Sequence, residues 1–99
     1  MTLEFTEIIQ YIGNRDSVCF LIKANNNKYY IFAAKTEDLS FEQNSLTKTI
    51  NNRLTSTQEK NRRLCIDLIP GSDNSIYHII EIRDKNFFED AVKIIQAFI

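Results

Sequence analysis

The sequence predicts an α+β fold. It is a four-stranded, mostly antiparallel sheet built from two hairpins, each followed by a helix (ββα-ββα), with a further helix at the N-terminus. Three observations lead there. Leu64–Arg83 reads as strand, turn and strand, and Asn86–Ile99 follows it at helical spacing. Val18–Lys35, with the segment after Ser40, repeats that order. The 99 residues, 43% apolar and 25% charged, suit one α+β domain over residues 1–99.

Thr2–Ile12 admits two readings. As a helix, Phe5, Ile8, Ile9 and Ile12 share a face, Thr2 caps and Gly13 takes the C′ position. As a strand, Ile8–Ile12 has the right residue types without clean alternation. The helix is the preferred reading. Asn14–Ser17 is a turn, and Val18–Ile22 is apolar on both faces, as a strand covered on both sides should be. Ala24–Lys28 is a hairpin loop, because asparagine tolerates left-handed backbone. Tyr29–Ala34 returns as the second strand.

Ser40 and Gln43 form a capping-box pattern ahead of a helix. Its stripe of Leu46, Ile50 and Leu54 is narrow, which predicts shallow docking. In the closing hairpin Leu64, Ile66 and Leu68 alternate with mixed residues, and Pro70–Ser75 is a run of turn formers. Ile76–Arg83 is the return strand. Asn86 and Glu89 are spaced as a capping box for the last helix. Two apolar seams run along it: Phe87, Ala91, Ile94, Ile95 and Phe98, and beside them Phe88, Val92, Ile95 and Ile99. Both helices are expected on one face of the sheet, with the N-terminal helix over part of the other. The order helix–strands–helix–strands–helix is similar to that of small acidic secretion chaperones, which bind a partner chain as dimers. That likeness is one of element order, which does not fix function.

Several chemistries lack their residues. The two glycines, Gly13 and Gly71, lie in no phosphate-binding pattern, and no serine sits in a nucleophile elbow. His78 is the only histidine and lies on an isoleucine-rich strand face, which suits a core residue better than an acid–base catalyst. Cys19 and Cys65 fall short of the four ligands of a zinc site and read as buried thiols. Asp67 and Glu81 can face each other across the hairpin, and a solvated sheet surface explains them without a catalytic pair. No enzyme activity, cofactor or metal is expected. Two cysteines, no leader-like segment and no glycosylation acceptor suggest a reducing, cytoplasmic setting. No apolar run reaches the roughly 18–20 residues of a membrane span.

What remains is binding. The first expectation is a protein-binding or regulatory module acting through an apolar sheet face or the C-terminal helix, with homodimerisation as the commonest solution. Tyr77, Ile79, Phe88, Val92 and Ile99 are the candidate interface residues. The alternative is a nucleic-acid-binding accessory protein. It would use Lys48, Arg53, Lys60, Arg62 and Arg63, with Tyr29, Tyr30 and Tyr77 as stacking surfaces. A net charge of −1 gives that alternative little long-range attraction.

Overall fold

The structure is a computed structural model that describes residues 2–59 and 77–97. Among the described residues four strands run in the order β1 (Phe5–Gly13), β2 (Ser17–Ala24), β3 (Tyr29–Lys35) and β4 (Tyr77–Ile82). Every neighbouring pair is antiparallel. Helix α1 (Gln43–Glu59) lies between β3 and β4 in sequence, and α2 (Phe88–Gln96) follows β4. Short 3₁₀ turns, Thr36–Asp38 and Lys85–Phe87, lead into the two helical regions.

The α+β class and antiparallel sheet agree with the sequence reading; the ββα-ββα arrangement does not. The segment expected as an N-terminal helix is the strand β1. Its register with β2 is broken between Phe5 and Glu7 and again between Ile8 and Gln10. Each break places one extra residue, Thr6 and then Ile9, on the β1 side. Phe5, Ile8 and Tyr11 consequently oppose Ala24, Ile22 and Phe20. Two bulges thus convert the twofold period of a strand into a spacing of three, which imitates a helix. The element-order likeness to secretion chaperones ends here, since it needs the first helix. In the closing hairpin, Leu64–Ile69 and Pro70–Ser75 lie outside the described residues, as does Cys65.

β2 and β3 are buried along almost their whole length, so each face of the sheet must be covered. The helices divide that task. On one face Ile50 and Leu54 of α1 join Phe20, Ile22, Phe32 and Ile79. On the other, Phe88, Ala91, Val92 and Ile95 of α2 join Leu21, Ile31, Ile80 and Ile82. The two helices therefore lie on opposite faces, not on one. The α1 stripe also sits deeper than its narrowness suggested, with Ile50 and Leu54 fully buried.

Local polar groups hold the elements in place. Asn14 Oδ1 accepts from the backbone N–H of Asp16 at 2.8 Å and of Ser17 at 2.9 Å, closing the β1–β2 turn. In the next loop Asn27 takes φ 65°, the left-handed conformation that asparagine accepts. Asn25 ties down the chain start, donating from Nδ2 to Thr2 O and from its backbone N–H to Glu4 O, each at 2.8 Å.

The helix starts differ from the sequence reading. Glu42, not Ser40, caps α1. Its carboxylate accepts from Ser45 N at 2.9 Å and Asn44 N at 3.1 Å. These bonds, Ser45 first, hold the Glu42 carboxyl below its ordinary range. Asp84 Oδ1 accepts from Asn86 N at 2.9 Å and so caps the 3₁₀ turn before α2. No side chain caps α2 itself, so the expected Asn86–Glu89 box does not form.

Candidate functional site

β1 is the outermost strand among the described residues, and neither helix covers its middle. Asn51 of α1 reaches its start, where Phe5 N donates to Asn51 Oδ1 at 3.0 Å. Beyond that point the α1-side face is open. Ile8 is 42% exposed and Tyr11 57% exposed, and Ile9 projects from the second bulge at 38%. The Tyr11 ring packs at 5.4 Å from Phe20, centroid to centroid, and also lies over Gly13. A Cβ built on Gly13 would meet the Tyr11 hydroxyl at 3.0 Å, so the bare glycine makes room for that ring. One side of the tyrosine is used by the fold and the rest faces water. Glu7 and Gln10, on the opposite face of β1, are exposed too.

A second apolar surface lies on α2. The flank that docks on the sheet takes members of both seams. Phe88 and Val92, candidate interface residues, are buried against the sheet, while Phe87 and Ile94 are 51% and 52% exposed. The apolar arc of this helix is wider than one contact. The pairing that reaches the sheet is Phe88, Ala91, Val92 and Ile95, and the flank is left outside. Beside Phe87 lies an open depression of about 560 Å³ lined by Glu81, Ile82, Arg83, Asp84, Asn86 and Phe87.

The other candidate interface residues are also committed within the chain. Ile79 is buried in the α1-side core. Tyr77 stacks on Phe32 at 5.7 Å, and its hydroxyl donates to Asp38 O at 2.9 Å. Ile99 lies outside the described residues. The sequence did place Ile8, Ile9, Phe87 and Ile94 on apolar faces. Which faces stay open was not legible in it.

The basic candidates do not form a described patch. Lys48 is exposed and Arg53 half-buried, and five helical positions separate them by roughly 140° around the axis. Lys60, Arg62 and Arg63 lie outside the described residues. Tyr29 and Tyr30 belong to opposite faces of the sheet, and Tyr77 is stacked internally. These three rings therefore offer no common stacking platform.

Cys19 is fully buried, and burial pushes its thiol up from 9.0 to about 11. His78 is half-buried opposite Ala33 on β4. Glu81 pairs with Lys28 at 3.4 Å; its expected neighbour Asp67 lies outside the described residues. Among the described residues no three His, Cys, Asp or Glu gather as a metal site, and no helix is long and apolar enough to cross a membrane. No protein-family model, curated protein or solved structure matches this chain.

Proposed function

We propose that this chain is a non-enzymatic protein-binding module whose docking surface is the open stretch of β1. The observation that carries the reading is that Ile8 and Tyr11 are exposed on one face of the strand that is outermost among the described residues, with Ile9 exposed in the bulge between them. Edge strands offer unpaired backbone donors and acceptors, and natural sheets usually blunt them with lysine or proline. β1 contains neither residue. The two bulges and Glu7 blunt it only in part, leaving the apolar Ile8, Ile9 and Tyr11 exposed. An extended segment of a partner would pair with the backbone, and its apolar side chains would cover Ile8 and Tyr11.

The test compares tagged wild-type chain with Ile9→Lys, each recovered gently from native extract with and without nuclease. Ile9 is an exposed bulge residue, so this change places a charge on the edge without disturbing the core. The expected result is a defined set of protein bands on wild type that survives nuclease and falls at least about tenfold on Ile9→Lys, as a disrupted docking contact of 1.4 kcal/mol or more requires. Unchanged circular dichroism of the variant shows that its fold is intact. Identical bands on both proteins would sink the proposal. Bands that disappear with nuclease would move attention to nucleic acid.

A further inference from the structure

We propose that Asn51 of α1 is a positioning residue for strand addition on β1. It takes the outward backbone N–H of Phe5 and confines an incoming strand to the outward groups of Ile8, Tyr11 and Gly13. The inference rests on the β1 docking reading and says where along the edge docking begins. It starts from the direction of the backbone bonds in β2. Ala24 N donates to Lys28 O at 3.0 Å, on the β3 side, while Asn25 N donates to Glu4 O, on the β1 side. These directions alternate along a strand of an antiparallel sheet, so Ala24, Ile22, Phe20 and Val18 all bond towards β3. Their partners in the β1 register are Phe5, Ile8, Tyr11 and Gly13. The backbone groups of these four residues therefore point away from β2, along the open edge. Among the described residues only the Phe5 N–H of this set meets an acceptor, Asn51 Oδ1 at 3.0 Å.

Asn51 holds that place because its neighbours fix the helix. Ile50 and Leu54 are fully buried in the α1-side core. Asn51 follows Ile50 by about 100° around the axis, which turns it from the sheet towards the β1 margin. Its amide oxygen is an acceptor aimed at a donor that would otherwise stay open, one of the ways in which a helix covers a sheet edge. An incoming strand can pair with Phe5 only by displacing Asn51 and leaving that half-buried side chain without its bond. At Ile8, Tyr11 and Gly13 it meets no such competitor among the described residues. Ile8 and Tyr11 are also the exposed apolar residues on the α1 side, so backbone pairing and side-chain cover coincide in one stretch.

A random-peptide library displayed on phage supplies the probe. Sequences retained by wild type and lost on Ile9→Lys are edge-dependent, and one of them is synthesised. Amide hydrogen exchange of the full chain is then followed by NMR with and without that peptide. In wild type the Ile8, Tyr11 and Gly13 amides should gain at least about tenfold protection, and Phe5 should not change. In Asn51→Ala the Phe5 amide should exchange faster in the free chain and gain about tenfold protection on peptide binding. Asn51→Asp, which keeps the acceptor, should behave as wild type. Asn51→Ser, whose hydroxyl is too short to reach Phe5, takes the place of Asn51→Ala if that variant does not fold. A purely structural Asn51 would alter stability and leave Phe5 insensitive to the peptide in every variant, which would overturn the inference. So would a Phe5 amide that the peptide protects in wild type. A library that yields no peptide sensitive to Ile9→Lys would overturn the β1 docking reading itself, and this inference with it.

Discussion

Cys19 shows how burial sets the chemistry of one residue. It opposes Ile12 on one side and Ala33 on the other, in the fully buried interior of β2. Loss of hydration disfavours the thiolate, and the thiol rises to about 11. A neutral thiol is a poor nucleophile, so Cys19 should resist disulfide-exchange labelling at pH 8 until the chain is unfolded in urea. The linkage has a definite sign. The folded state holds this proton more tightly than the unfolded state, whose thiol titrates near 9.0. The Cys19 contribution to stability is thus complete below about pH 9 and is lost as the pH rises towards about 11. Urea midpoints of wild type and Cys19→Ala, measured at pH 8 and pH 10.5, should show the extra decline only in wild type. Parallel declines would show that burial does not govern this thiol.

Asn27 makes a similar point about backbone. At φ 65° a β-branched side chain is strained, whereas glycine is not. Asn27→Val should therefore destabilise the chain by about 1–2 kcal/mol, and Asn27→Gly should change it by only a few tenths. Equal urea midpoints for the two variants would mean that the loop readjusts. This position was legible in the sequence, because three asparagines between two apolar runs have few other uses.

At the scale of elements, β1 and α2 show why periodicity is ambiguous. Phe5, Ile8 and Tyr11 share one side of β1 because two bulged residues intervene, a spacing that sequence alone attributes to a helix. What decides is β2, whose outer backbone edge needs a partner that only an extended chain can provide. In α2 the helix was legible and its rotation was not. Phe87, Phe88, Ile94 and Ile95 are equally apolar, and the sheet can accept only one flank. The residue types that made Phe88 and Val92 look like an interface are the ones that fill the core. The exposed flank follows by exclusion. The open surfaces are therefore what packing left over, in β1 and α2 alike.

At the scale of the molecule, one sheet serves two cores. Phe20 and Phe32 face α1 while Leu21 and Ile31 face α2, and all four sit on the same two strands. Loss of either core should unfold both. Phe88→Ala empties the centre of the α2 side and should cost about 3–5 kcal/mol, a large part of the roughly 5–15 kcal/mol of a small domain. Urea unfolding followed by circular dichroism and by tyrosine fluorescence, which draws on Tyr30 in the α1-side core, should give one coincident transition shifted to lower urea. Separate transitions would show the cores to be independent.

The sequence by itself determined which segments are apolar, where the loops between the first three strands fall, that β2 needs cover on both faces, and that an antiparallel sheet with helices results. These are local properties: alternation, turn chemistry and the width of an apolar stripe. Only the tertiary structure decided that the first segment is a strand, that the two helices take opposite faces, and that Ile8, Tyr11, Phe87 and Ile94 remain outside. Each of those outcomes is a competition between segments for one surface. A residue's own chemistry qualifies it for that surface, and only the other residues that reach it determine whether it is the one buried.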